Sequence, residues 1–515
     1  MAEFAGDYDL QYVHIHNHRG EGLNVDQAGN IQSTRGENIS NMVIEVNIYE
    51  SLYTHAITGS LVIVDTRNLI GNLPIQGTER LSFRLATKLD TYSSADSIDF
   101  TEERGNPMHV YKLANREQLN DTTQKYTLHF CSKEFLRNMR TRVSKSYSGR
   151  MDEAVNSIFK DPEYLNSKKK LFFQKTRNQD KVVIPNLSPV DAIKLLGKRS
   201  LPSNVNNRGG AGYLFYETTK GFHFRSFESL CVTKNGEQVA AKQKFRYVHV
   251  PIDITGHEMI DEKTGKKLDK IMEGFKSVIQ YKFLNNVHDV ATNTVLGTYG
   301  HTVITHNLYD KSYKKDKYHY HNSYNTTAHT DTDPKHRWKG GPPITDSPVD
   351  YDQVEGNAYK QKGVSDFAES RISLQPTTRF SHNEGTGSFG VDVTQDGKIE
   401  GERVALANSA RAGTKLRMTI KGQSWLQPGD IIEFDVLSVE NKRNTGGRPD
   451  PRHSGRYIIT HIRHKVNSDQ YFQEIECIKD SVRQSYGSAN KSYANIAGDE
   501  KRQVTPHDIE NDRYS

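Results

Sequence analysis

"YTLHFCSKEFLR", residues 126–137, and "YFQEIECIKDSVR", residues 471–483, close two stretches that read alike. Both carry Cys-x-Lys-acid-x-aliphatic-Arg: Cys131, Lys133, Glu134, Leu136 and Arg137 in the first, Cys477, Lys479, Asp480, Val482 and Arg483 in the second. The preceding strands align without a gap backwards from Phe130 and Glu476, with the tyrosines offset by one. Upstream, "TERLSFRL" (78–85) can be set against "TKLRMTI" (414–420). A strand running out toward a helix tends to carry a charge and an aliphatic anyway, which is the bland account. The sharper account is a β module present twice, with a different domain between the copies.

Working outward, "MVIEVNIYESL" alternates apolar and polar from Met42, and "GSLVIVDT" is a continuous β-branched run. Such patterns belong to half-buried and fully buried strands respectively. "NLPIQGTE" turns the chain through Pro74 and Gly77, and "RLSFRLAT", "MHVYKLANRE" and "QKYTLHFCSKE" follow as strands. Strands in such close succession, with no long helix between them, imply an antiparallel sheet curled into a small barrel or sandwich. The second copy offers "TKLRMTIKGQSWLQPGDIIEFDV", with "QPGD" as its turn, then "GRYIITHIRHKV" and "YFQEIECIKD".

Between the copies the period changes. "MDEAVNSIF" puts Ala154, Val155, Ile158 and Phe159 on one helical face. "NLSPVDAIKLLGKRS" has Ser188 to cap a helix, Pro189 at its first position, Asp191 to close a capping box and Gly197 to end it. "GYLFYETTKGFHFRSF" reads as a hairpin with Phe222 and Phe224 on one face. "KLDKIMEGFKSVIQYKF" predicts an amphipathic helix near 267–283, and "TYGHTVITHNLYD" resumes β character. Residues 310–365 and 381–403 lack sustained periodicity and are expected to be long loops.

The expected fold class is therefore α+β and β-rich: two similar antiparallel β-barrel domains, an inserted α+β domain and long loop insertions. The expected layout is an N-terminal arm (1–40), a first barrel (41–138), the α+β domain (139–285), a second barrel (286–310 with 405–484), a polar insertion (311–404) and a flexible tail (485–515).

The chain has 515 residues, 34% of them hydrophobic, with a net charge of +6. Several modest cores fit this composition, as does contact with an acidic partner, but nothing in it demands nucleic acid. No apolar run approaches the roughly 18 residues needed to span a bilayer, so no membrane contact is expected. "MAEFAGDYDLQ" has no basic region followed by an apolar core, so no secretory signal is expected. Three widely separated cysteines argue against a disulfide framework and for folding in a reducing cytoplasm.

In order, "ITGSLVIVDTRNLIGNLPIQGTERL", "IPNLSPVDAIKLLGKRS", "YLFYETTKGFHFRSFESL", "LGTYGHTVITHNLYDKSY" and "IKGQSWLQPGDIIEFDV…SGRYIITHIRHKV" resemble the T-even-type phage baseplate hub family. The resemblance covers roughly 42–310 and 412–483. It implies a torus-shaped homotrimer whose two barrels per chain form a pseudo-sixfold ring beneath the tail tube or its initiator proteins, with a trimeric cell-puncturing spike on the opposite side. It further implies surrounding wedge proteins, passage of phage DNA through the lumen, and a place in the virion tail after assembly in the host cytoplasm. The polar stretches at 310–365, 381–403 and 441–455 depart from the family pattern.

Chemistry is sparse. "GTGSFG" (385–390) is a formal GxGxxG, but no strand leads into it and no helix follows. His14, His16 and His18 alternate and would share one face of a strand. His329, Asp331, Asp333 and His336 offer metal-ligand atoms, yet lie in loop-like sequence. No cofactor, metal or catalytic residue is expected, and the cysteines read as packing residues. Arg137, Arg140, Arg142, Lys145 and Arg150 form a run without acids after Phe135, either a solvated face or a basic seam against a spike subunit or DNA. "ENKRNTGGRPDPRHSGR" (440–456) is a similar basic loop. The competing functions are a tail-borne cell-wall hydrolase and a basic β-rich nucleic-acid-binding protein. The first lacks an evident pair of facing carboxylates; the second lacks aromatics interleaved with the basic run.

Overall fold

In the computed structural model the described residues are 4–17, 24–25, 31–32, 38–72, 75–88, 97–177, 179–203, 212–233, 235–247, 270–285, 290–307, 311, 313–324, 328–330, 348–354, 358–363, 367–377, 380–383, 388–391, 404, 413–437, 450 and 453–481. Strands β1 (Tyr8–His16), β2 (Val43–Ser51), β3 (Thr58–Asp65), β4 (Arg80–Thr87), β5 (Met108–Asn120) and β6 (Thr123–Cys131) come first. They pair antiparallel in the order β1–β4–β5–β6–β3–β2. Strand β1, which lies in the stretch expected to be an N-terminal arm, is thus part of the first ribbon.

The middle of the chain folds as helices on small sheets. Helix α1 (Lys133–Arg140) leads to β7 (Val143–Arg150), α2 (Met151–Lys160), β8 (Leu171–Phe173), β9 (Gln179–Leu187), α3 (Pro189–Lys198), β10 (Tyr213–Thr218) and β11 (Gly221–Ser226). Helix α3 starts as its sequence requires: the Ser188 hydroxyl accepts from the Asp191 amide at 3.3 Å. Ala154, Val155, Ile158 and Phe159 of α2 pack with Ile193, Leu196, Phe222 and Phe224 in one core.

The second ribbon uses β12 (Gln243–Arg246), β13 (Val278–Asn285), β14 (Thr414–Lys421), β15 (Ile431–Asp435), β16 (Gly455–Asn467) and β17 (Tyr471–Lys479). Their pairing order is β12–β15–β16–β17–β14–β13. Taken in chain order, β2 to β6 and β13 to β17 therefore pair identically. The flanking strand differs, since β12 runs parallel to β15 whereas β1 runs antiparallel to β4.

Local devices repeat at matching places. The register slips between Val43 and Glu45 in β2 and between Val278 and Gln280 in β13. It slips again between Val110 and Lys112 in β5 and between Ile459 and His461 in β16. Each turn into the third strand has a left-handed glycine, Gly77 at φ +90° and Gly429 at φ +93°. An acid closes each turn: Glu79 accepts from the Gln76 amide at 2.7 Å, and Asp430 from the Gln427 amide at 3.0 Å. The acid's carbonyl then accepts from Val110 in one copy (2.8 Å) and Ile459 in the other (3.0 Å). Bulges and left-handed turns are position-specific features rather than generic properties of sheets.

This correspondence corrects the sequence alignment by one residue. Phe130 lies opposite Gly59, and Cys477 lies opposite Leu416. Cys477 therefore matches Phe130, not Cys131, and a one-residue slip in a strand exchanges its faces. The volumes compensate: a glycine faces a phenylalanine in one copy, and a leucine faces a cysteine in the other. Likewise the counterpart of "TERLSFRL" is β15, not β14.

Other expectations also change. Among the described residues the helix expected at 267–283 is Lys270–Lys276; the residues from Val278 become β13 because β14 offers a partner edge. "GHTVITHN" joins a separate sheet with Tyr313–His319 and Ile372–Thr377 instead of the second ribbon. Strands Pro348–Val354 and Ala358–Gly363 stand in stretches expected to be loops. Neither barrel closes among the described residues. In each ribbon one contact approaches closure, Ile39 N–H to Val13 C=O at 2.9 Å and a bridge between Arg246 and Ser277. The outer edge of β2 is taken instead by β16, from Ser51 with His461 to Glu45 with Asn467, fusing both ribbons, with the short strand Ile98–Asp99 beside β4, into one sheet of 13 strands among the described residues.

Candidate functional site

Two buried polar networks hold the three parts together. Glu134 of α1 and Glu217 of β10 face Lys169, whose Nζ lies 3.1 Å from Glu134 Oε2 and 2.5 Å from Glu217 Oε1. Glu217 also accepts from the Ile57 amide at 2.9 Å, and Glu134 accepts from the Ser167 hydroxyl. Burial opposes charge on all three groups, but the paired acids more than offset it for the lysine and hold its pKa up. Burial works against Glu134, yet Lys169 and Ser167 bring its carboxyl below the usual range. Glu217 stays raised by burial, against the pull of Lys169, with the Glu134 charge adding to the rise. The adjoining cavity, lined by Phe100, Asn106, Lys170 and Gly221 among others, measures about 40 Å³. That is room for a water or two, not for a sugar ring.

The second network sits where β2 meets β16. His464 Nε2 lies 2.8 Å from Glu50 Oε1, both side chains fully buried, and His464 Nδ1 lies 2.6 Å from the Tyr471 hydroxyl. The other Glu50 oxygen accepts from the Thr219 amide of the β10–β11 hairpin at 3.0 Å. The Gln473 side chain continues the chain of bonds, its Oε1 accepting from the Gln423 amide and its Nε2 donating to the Gln423 carbonyl, each at 2.9 Å. Burial, then the Glu50 charge, pushes the Tyr471 hydroxyl well above its ordinary pKa. The arrangement stitches elements together and fixes their register.

The basic run divides. Arg137 donates to the carbonyls of Tyr164 (2.6 Å) and Pro162, clamping the segment after α2. Arg150 pairs with Asp152 at 3.0 and 2.6 Å. Arg140, Arg142 and Lys145 are exposed, and among the described residues the first two donate to neighbouring carbonyls.

Of the other candidates, His329 is buried and bonded to Asp480 at 2.9 Å, while Asp331, Asp333 and His336 lie outside the described residues. Burial works against the Asp480 charge, but His329 and Thr330 hold its pKa down to about 2. His14 and His16 lie on β1; His18 lies outside the described residues. "GTGSFG" falls partly outside them too, and its last residues form a strand, Ser388–Val391, in a hairpin with Phe380–Asn383. Most of the 440–456 loop is likewise outside, but Arg456 is on β16 and donates to the Thr330 carbonyl at 3.1 Å. All three cysteines are buried, and burial pushes the Cys131 thiol up to about 12, so none is a ready thiolate.

Sequence reasoning passed over Glu50, Lys169, Glu217 and His464. A signal existed for two of them. Val46, Ile48 and Glu50 share one face of β2, and Ile462, His464 and Val466 one face of β16, so a polar residue interrupts each apolar stripe. Lys169, inside a run of three lysines, carries no such mark.

No family model and no curated protein matches this chain. Among solved structures, it is similar to the tail protein from Neisseria meningitidis MC58, with 7% identity and a TM-score of 0.45 over 93% of this chain and 99% of that one. It is also similar to the 43 kDa tail protein of prophage MuSo2 from Shewanella oneidensis, with 9% identity and a TM-score of 0.43 over 92% and 100%. A third is the E. coli c3393 protein, described as a type VI secretion component similar to the T4 bacteriophage tail proteins gp27 and gp5. There the identity is 10% and the TM-score 0.38, over 93% and 79%. These likenesses are loose.

Proposed function

We propose that this chain is a structural, non-enzymatic hub of a contractile phage tail baseplate, acting as a homotrimer that joins a trimeric spike to a sixfold tube. The observation that carries this reading is the repeated pairing order of β2–β6 and β13–β17. Three chains with two matching ribbons each present six similar units on one side while keeping threefold symmetry on the other. That is the geometry required where a threefold partner meets a sixfold one. The exposed Arg140, Arg142 and Lys145 are the residues of the basic run left free for an acidic neighbour, whether spike or DNA. In this reading the protein resides in the virion tail, with wedge proteins around it.

The test is the purified chain itself. Light scattering should give the mass of three chains, and class averages of particle images should show a ring of six similar lobes. A monodisperse monomer at micromolar concentration, or a trimer without paired lobes, would overturn the reading.

A further inference from the structure

The β16–β2 joint within one chain has an unused counterpart toward the two ends of the same sheet. In β16, residues before the bulge pair with β15 and residues after it, His461–Asn467, pair with β2. In β5 the residues before the matching bulge, Met108 and His109, pair with β4. Those after it, from Lys112 onward, have no partner on that edge among the described residues. At the opposite end of the sheet, β13 corresponds to β2 and pairs only with β14 among the described residues. Within one chain, β5 and β13 stand seven places apart in the strand order.

We propose that the free edge of β5 after its bulge pairs antiparallel with the outer edge of β13 of a second copy, repeating between subunits the joint that β16 and β2 make within each one. The inference rests on the ring reading above and names its contact. Unpaired edges are templates for strand addition, and here the template's partner is already drawn inside the chain.

The register is carried over by cross-strand partners, because β5 slips again between Ala114 and Glu117 where β16 does not. Lys465 lies opposite Phe472 in β17, and Glu117 lies opposite Lys125 at the matching place in β6. Asn47 lies opposite Ser60 in β3, and Lys282 lies opposite Arg417 at the matching place in β14. Because Lys465 pairs with Asn47, Glu117 of one copy falls opposite Lys282 of the next. Both side chains are exposed, and their charges are complementary, as favoured in directly opposed pairs. Apolar groups flank the pair: Leu119 is 50% exposed, Ile279 45% and Leu284 38%.

The test is disulfide trapping in the full chain, whose native cysteines are all buried. Glu117→Cys combined with Lys282→Cys, oxidised and run without reductant, should give a covalent trimer that neither single variant gives. Gln118→Cys with Lys282→Cys moves one side chain to the other face and should trap roughly tenfold less. As a second measurement, Glu117→Lys should dissociate the assembly in light scattering, and adding Lys282→Glu should restore it. A trimer that forms but traps no in-register disulfide overturns the joint while leaving the ring reading intact. A chain that stays monomeric overturns both. A ladder beyond three copies supports the pairing and overturns the closed ring.

Discussion

Replacing Lys169 by methionine isolates the physics of the buried triad. The change keeps most of the side chain's volume and removes the cation held between two carboxylates exposed by 3% and 1%. Glu217 keeps the Ile57 amide and Glu134 keeps the Ser167 hydroxyl, so the loss is mainly electrostatic. Two adjacent buried acids do not both stay charged, and one takes up a proton. Holding a carboxyl neutral at pH 7 costs about 1.4 kcal/mol for each unit between its unfolded value of about 4.3 and 7, or about 4 kcal/mol. That agrees with the roughly 3–5 kcal/mol seen when one partner of a buried pair is removed. The sign follows: a carboxyl raised in the folded state loses stability as pH rises, so the deficit should fall below about 1 kcal/mol near pH 4.5. Urea unfolding of variant and wild type at both pH values measures it, with hydrogen exchange across residues 52–58 and 213–221 reporting the local opening. Adding Glu134→Gln and Glu217→Gln should remove the pH dependence and recover most of the loss. A deficit below about 1 kcal/mol at pH 7, or one equal at both pH values, would refute the reasoning.

Gly59→Ala should destabilise by more than the roughly 1–3 kcal/mol of ordinary overpacking. Its Cβ would lie 2.3 Å from the Phe130 ring and 2.4 Å from the Asn47 carbonyl. Adding Phe130→Ala should rescue little in a thermal melt, because the backbone clash remains. Arg137→Ala should cost about 1–3 kcal/mol through its two lost carbonyl bonds, whereas Arg140→Ala and Arg142→Ala should stay within about 0.5 kcal/mol in denaturant titrations. His223 is held neutral, its pKa lowered to about 3 by burial and then by Arg225, and its ring stacks on Phe172 and Tyr216. The folded state binds fewer protons there, so its contribution is complete above pH ~6.5 and fades as pH falls toward the folded value, at up to about 1.4 kcal/mol per unit. His223→Gln should flatten the stability profile between about pH 6 and 4, within that titration window.

Much of this organisation is legible in the chain because strands and helices leave different periods. The α2 face, the Ser188 cap and the Phe222–Phe224 hairpin all follow from local chemistry. The presence of two β units was legible from their endings, but their register was not. Cys131 and Cys477 are similar residues at non-equivalent positions, and only cross-strand partners reveal that a cysteine has taken the place of a phenylalanine. Residues 278–285 look helical in isolation because Val278, Tyr281 and Lys282 suit an amphipathic turn. The available edge of β14 decides otherwise, and an edge more than a hundred residues away leaves no mark on local sequence.

The networks were hard to see for a related reason. Glu50 and His464 are ordinary polar residues in strand sequences until β2 and β16 come together. On the proposed pairing, this contrast also explains why the two joints carry different chemistry. The internal joint forms as a single chain folds, so it can bury an acid and a histidine that satisfy each other at 2.8 Å. The joint between copies has to remain soluble before its partner arrives. An edge of that kind is protected by charge, and Lys112, Arg116 and Glu117 on β5, with Lys282 on β13, supply it. Charges that discourage indiscriminate pairing can still favour one register, because only there does Glu117 meet Lys282.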